Sequence, residues 1–229
     1  MTEPRNKKDK LSKTTMSELK ELHSEALFGY RREFSNIYTK KGNMNEDDSI
    51  RLLSEIHDRP FDSLYTKNEK SFENEFIKGT PDIHIENEFL GDVKTSYSDE
   101  TFPMYEDFSD LKTYNKNYYW QMQGYMWLTG LNKSILAYCL VDSDLEVVEY
   151  DKFKKARELN VIDLPEEIEQ GIHLNHSPSQ RIPYDSIRVS QFPVALNEND
   201  IEKLKERISD CREYMNQLSE FLNNKIQLK

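Results

Sequence analysis

Gly79-Thr80-Pro81-Asp82-Ile83-His84-Ile85-Glu86-Asn87-Glu88-Phe89-Leu90-Gly91-Asp92-Val93-Lys94 reads as a β-hairpin closed by a three-residue turn at Glu86-Asn87-Glu88. That turn sets Ile85 opposite Phe89 and Asp82 opposite Asp92. Side chains alternate between the faces of a strand, so Ile83, Ile85, Phe89 and Val93 share one face, which must be core. Asp82, His84, Asp92 and Lys94 share the other. Like charges directly opposite on a sheet destabilise it, and neighbouring carboxylates raise each other's pKa unless something positive lies between them. A divalent cation resolves both problems, because carboxylate oxygens are the preferred ligands of Mg²⁺. Lys94, on the same face, is placed to hold a water or to offset charge on a phosphate. A solvent-exposed hairpin carrying ordinary charges is the alternative.

Working outward, the apolar spacing of Leu19, Leu22, Ala26 and Tyr30 predicts a helix from about Thr15 to Ile37. Lys41-Gly42-Asn43 is expected to break the chain before a second helix, Met44 to Ile56, with Glu46 near its start. Glu46 is a candidate third carboxylate, although acidic residues at a helix N-terminus are also ordinary dipole chemistry. After a polar stretch a helix is expected from about Tyr114 to Leu128, stopped by Gly130. It carries Gln121 and Tyr125 four residues apart, hence on one face. Ile135–Val141 is continuously apolar, as in a buried central strand, and Leu145–Tyr150 is expected to fold back on it as a hairpin partner. Residues 155–183 give no clear pattern beyond a short helix near Pro165. Ile187–Val194 predicts a strand that Pro193 confines to an edge or an end. The final helix, about Asp200 to Ile226, has an a/d stripe over about three heptads, suited to packing on its own domain or to a subunit contact. Residues 1–13, with Lys7, Lys8, Lys10 and Lys13, read as a flexible basic arm, and residues 14–229 as one domain.

The chain has 229 residues and a formal net charge of −11, with 36% hydrophobic, 32% charged and 11% aromatic residues. The aromatic content argues against disorder, and the length suits a single full core. Any nucleic-acid binding must rest on local rather than global positive charge. The two cysteines, Cys139 and Cys211, are far apart and form no CxxC pair, which argues against a zinc finger, a Cys-ligated iron–sulfur cluster or a disulfide framework. No apolar run approaches the roughly 20 residues of a membrane span, and the start lacks a signal-peptide core. A cytoplasmic protein of a bacterial or phage-infected cell, with no membrane partner, is expected.

Glu46, Pro81-Asp82, Asp92-Val93-Lys94, and Gln121 with Tyr125 in the stretch Tyr119–Gly130 together resemble the PD-(D/E)XK nuclease superfamily, and within it the lambda-exonuclease (YqaJ-like viral recombinase) branch. The resemblance runs from about Gly42 to Leu131. It implies an α/β (α+β) fold: a restriction-endonuclease-like αβββαβ core, with a mixed sheet flanked by helices and a long C-terminal helix. It implies Mg²⁺ (or Mn²⁺) held by Glu46, Asp82, Asp92 and the backbone carbonyl of Val93, with Lys94 activating water or stabilising charge and Gln121 and Tyr125 orienting the site. It implies 5′-to-3′ degradation of double-stranded DNA ends in phage-type recombination, a single-strand annealing protein as partner, and a ring-shaped homo-oligomeric trimer. Arg31 and Arg32 are candidate contacts for a 5′-phosphate, with Lys41 a weaker DNA contact beside Lys40, Lys112 and Lys116; ordinary solvated helix arginines are the alternative. Three rival readings stay open: an endonuclease on the same core, a non-catalytic DNA-binding or interaction module, and a metal site at His173 and His176, for which no third ligand lies nearby in sequence.

Overall fold

The computed structural model of the chain describes residues 9–30, 36–60 and 63–227. The chain divides into two compact units, one of Ser35–Leu196 and the other of Met1–Phe34 with Asn197–Lys229.

The larger unit is built on a four-stranded mixed sheet. Its strands are β3 (Ile83–Ile85), β4 (Phe89–Thr95), β5 (Lys133–Cys139) and β6 (Val189–Ala195), in that spatial order; a separate ribbon pairs β1 (Phe72–Glu73) with β2 (Lys78–Gly79). β3 and β4 are antiparallel, β4 and β5 parallel, and β5 and β6 antiparallel. The hairpin register is the expected one, with Ile83 opposite Gly91 and Ile85 opposite Phe89. Asn87, at φ 60°, supplies the left-handed turn residue, a conformation Asn tolerates better than most side chains.

Helices cover both faces. On one side α3 (Glu46–Ile56) lays Ile50, Leu52 and Leu53 over Ile83, Val93, Ala137 and Cys139. On the other, α5 (Lys116–Thr129) lays Tyr119, Met122 and Met126 over Leu90, Leu136 and Phe192. The face carrying Asp92 is therefore roofed by a helix rather than open to water. α5 begins at Asn115, whose side chain accepts from the Tyr118 N–H, and ends at left-handed Gly130, so its expected stop is where it was read. α4 (Leu111–Tyr114) precedes it, and Pro193 sits on β6 at the sheet's edge.

Several expectations are corrected. Gly42 breaks nothing: α2 (Ile37–Met44) runs through it, and the chain turns at Asn45, which closes α2 and opens α3. Residues 145–150 are not a strand. They begin α6 (Leu145–Leu159), which buries Val147 and Val148. Both flanks of β5 are already paired, to β4 and β6, which leaves no edge for a hairpin partner. The poorly patterned stretch that follows holds the rest of α6, then α7 (Glu166–Asn175) and α8 (Pro178–Arg181).

In the smaller unit, α1 (Lys13–Phe28) stops at left-handed Gly29 rather than running on to Ile37. It packs against α9 (Glu198–Gln227), the expected long C-terminal helix, through a hydrogen bond between His23 and Ser219 of 2.9 Å. Of the basic arm, Lys7 and Lys8 lie outside the described residues. Leu11 and Ser12 are buried, and Lys10 Nζ pairs with Glu213 at 2.8 Å.

Candidate active site

Asp82 and Asp92 come together at the end of the β3–β4 hairpin. The Val93 N–H donates to Asp82 Oδ2 at 2.8 Å, which fixes that carboxylate against the neighbouring strand. Asp92 is 1% exposed, and neither of its carboxylate oxygens accepts a hydrogen bond among the described residues. Lys94 Nζ approaches Asp92 Oδ2 to 2.5 Å, an ion pair without hydrogen-bond geometry. Burial, and then the charge on Asp92, hold the Asp82 carboxyl well above the usual carboxylate range, with Lys94 and the Val93 N–H opposing them. Burial works to strip the proton from Lys94, but Asp92 and Asp82 outweigh it and its pKa is raised. Two buried carboxylates set against each other repel, and one ammonium balances only one of them; a hard cation coordinated by oxygen removes that cost.

α5 brings the next group of residues to the same place. Gln121 Nε2 donates to the Tyr125 hydroxyl at 2.9 Å. Burial, and then Asp92, raise the Tyr125 pKa, so the phenol stays protonated beside the carboxylates. The Tyr125 ring is pinned by β2: a Cβ on Gly79 would stand 2.7 Å from Tyr125 Cε1, so only glycine lets the ribbon lie this close. Tyr118, three residues before Gln121 and on the same helical face, sets its ring centroid 4.9 Å from Lys94 Nζ. That residue was not singled out from the sequence, although its spacing to Gln121 was a usable signal.

Glu46 stands in the first turn of α3 and lines the same cleft as Asp82, Val93 and Lys94, a cavity of about 530 Å³. Its carboxylate is drawn to Lys67 Nζ at 3.1 Å, a partner that nothing in the sequence announced. Among the described residues no group of three or more His, Cys, Asp or Glu closes into a metal-holding cluster. The donors present nevertheless fit a hard divalent cation: Asp92 Oδ1 has no hydrogen-bond partner among the described residues, Asp82 faces it, and Mg²⁺ commonly takes one or two carboxylates and keeps waters on its remaining positions.

Other candidates are placed elsewhere. Lys41 is no surface phosphate contact: it is 1% exposed, and its Nζ donates to the carbonyls of Tyr97 at 2.9 Å and Val141 at 3.4 Å. Burial lowers its pKa to about 8, against the opposing pull of Asp142 and Asp151. His176 is occupied at both ring nitrogens, by Ser143 Oγ at 2.8 Å and Asp151 Oδ2 at 3.0 Å. His84 shares the Asp82 face but meets the Phe72 ring edge-on, centroids 4.7 Å apart. Arg31 and Arg32 lie outside the described residues.

No protein-family model matches the chain, and neither does any curated protein. Among solved structures, the chain is similar to a phage-related exonuclease from Haemophilus somnus 129PT, with 26% identity over 96% of this chain and 91% of that one, at a TM-score of 0.76. It shares its fold with an alkaline exonuclease, LHK-Exo, from Laribacter hongkongensis (16% identity, 99% and 88% of the two chains, TM-score 0.58) and with LHK-Exo in complex with dAMP (17%, 92% and 84%, TM-score 0.58). The exonuclease-branch resemblance read from Asp82, Asp92-Val93-Lys94, Gln121 and Tyr125 thus extends to the fold of the whole chain.

Proposed function

We propose that this chain, a nuclease of the PD-(D/E)XK-related exonuclease branch, is a Mg²⁺- or Mn²⁺-dependent deoxyribonuclease that degrades double-stranded DNA from its 5′ ends. The observation that carries this reading is the opposed pair of carboxylates, Asp82 and Asp92, buried together beside the Lys94 ammonium. Lys94 can balance one of the two carboxylates; a divalent cation between them would balance the pair.

Glu46, Asp82, Asp92 and the Val93 carbonyl would hold the cation. When bound, it supplies Lewis-acid polarisation of the scissile phosphate and a lowered pKa for attacking water. Lys94, charged because its two carboxylate neighbours outweigh its burial, offsets negative charge as it builds on the phosphate. Asp92 and the Tyr118 ring hold the ammonium in place from two sides. The Gln121–Tyr125 pair presents a protonated phenol to the carboxylate side of the site and orients groups there. Arg31 and Arg32 remain sequence-derived contacts for a terminal 5′-phosphate. A role in phage-type recombination, beside a single-strand annealing protein and as a trimeric ring in the cytoplasm of a bacterial or infected cell, follows from the family resemblance. No helix among the described residues is long and apolar enough to cross a membrane.

The deciding experiment is digestion of linear and covalently closed circular duplex DNA, with Mg²⁺ and with EDTA. Loss of the linear form alone, only with Mg²⁺, is expected. Cutting of the circle would replace the exonuclease with an endonuclease; DNA binding without cleavage under any condition would leave a binding module.

A further inference from the structure

The cleft that holds Asp82 and Lys94 supplies little free positive charge. Among the described residues lining it, Glu46, Asp82 and Lys94 are the charged ones, and Lys94 is committed to Asp92. Lys40, next in the chain to the lining residue Thr39, is ion-paired with Glu146, and Lys41 is turned inward onto two carbonyls. With so little free positive charge among these residues, contacts to the bases themselves would add to whatever hold the cation gives on the phosphates.

The same lining contains Tyr38, on α2, with its side of the ring open to solvent: the residue is 57% exposed. Its ring sits 4.6 Å, centroid to centroid, from Tyr97, inclined at 60°. Tyr97 is itself fixed from behind. Lys41 Nζ holds its carbonyl oxygen and lies 5.8 Å from its ring, and His176, clamped between Ser143 and Asp151, meets that ring edge-on at 5.7 Å. An exposed tyrosine backed by a rigid aromatic has already lost part of the side-chain freedom that stacking would otherwise cost. The buried Lys41 acquires a purpose in this arrangement, as the clamp on the backing ring.

We propose that Tyr38 is a stacking platform for an unpaired nucleobase at a DNA strand end. The strand would enter the cleft with its terminal base on Tyr38 and its backbone leading toward Asp82 and Asp92. A cleft of about 530 Å³ is the size that takes a small-molecule-sized ligand; it has room for single nucleotides rather than a duplex. Stacking on aromatic rings is how single strands are held without sequence preference and without many ion pairs. This rests on the nuclease reading above and names the form of DNA that its site accepts.

The test uses a duplex with a short unpaired 5′ tail carrying 2-aminopurine, bound in EDTA so that nothing is cut, and a matched duplex whose tail is abasic. Unmodified protein should quench the 2-aminopurine. Tyr38→Leu should lose the quenching and bind the base-bearing tail about 5- to 150-fold more weakly, Tyr38→Trp should restore both, and all three proteins should bind the abasic tail equally. Quenching by Tyr38→Leu at the unmodified level, or an equal loss on both tails, would overturn the platform. Cleavage with Mg²⁺ by a protein that quenches nothing would sink the platform alone. Quenching by a protein that never cleaves would sink the nuclease reading and keep the platform.

Discussion

Replacing Lys41 with methionine should change how stability depends on pH, and the size of the change can be worked from the site. In the unfolded chain the amine titrates near its ordinary value of 10.5; in the folded protein burial lowers it to about 8. At about 1.4 kcal/mol per pKa unit, carrying that charge inside costs roughly 3 kcal/mol below pH 8. The sign follows from proton binding. Between the two pKa values the unfolded chain holds more protons than the folded one, so stability rises with pH. The penalty is full at pH 7 and fades as pH climbs from 8 toward 10.5. The surrounding groups stay quiet over that range: burial lowers the His176 pKa and raises that of Tyr97, so the one is already neutral and the other still protonated. Urea unfolding of both proteins at pH 7 and pH 10 gives the difference directly. Lys41→Met loses the hydrogen bonds to Tyr97 and Val141 at either pH, a constant offset of about 1–3 kcal/mol. On top of it, the unmodified protein should gain roughly 2–3 kcal/mol on Lys41→Met between pH 7 and pH 10. A difference that stays flat to within about 0.5 kcal/mol would refute the reasoning and show that the amine is hydrated or uncharged at neutral pH.

Asp92→Ala and Lys94→Ala should each abolish cleavage while leaving a cooperative thermal transition; native-rate digestion by either would remove them from the site. Mg²⁺ at 100 times its Kd should stabilise the unmodified protein by about 2.7 kcal/mol, and calorimetry should find no such gain in Asp92→Ala. Tyr125→Phe keeps the ring and drops the hydroxyl, so it should slow turnover without unfolding the chain; an unfolded variant would make Tyr125 a packing residue only. Gly79→Ala forces a methyl to within 2.7 Å of the Tyr125 ring. It should cost about 1–3 kcal/mol and lower turnover, and an unaffected rate would show that Tyr125 can shift freely.

The hairpin was legible because its evidence is local. A three-residue turn and a period of two fix the register, and opposed carboxylates at Asp82 and Asp92 stand out as a cost that needs a reason. α5 was legible because Gly130 marks its end. What stayed hidden depends on partners remote in sequence. Nothing distinguishes Lys41 from Lys40 in the sequence, yet one is ion-paired at the surface and the other is buried; lysine is so seldom buried that the exposed reading wins without the fold. The helix at 145–159 was misread because Val147 and Val148 favour a strand locally, while the decision was made by β6, which occupies the flank of β5 they would have used. Likewise Glu46 could be placed at a helix start, but its pull toward Lys67 comes from a partner in a different segment of the chain.

The parallel pairing of β4 with β5 makes demands on the link between them. Parallel neighbours cannot be joined by a tight turn; the chain must cross over first, and here the crossover is α5 itself, the element that carries Tyr118, Gln121 and Tyr125. The helix that roofs Asp92 and Lys94 is thus also part of the link that lets β4 and β5 lie parallel, so a change in its length would disturb the sheet and the site together.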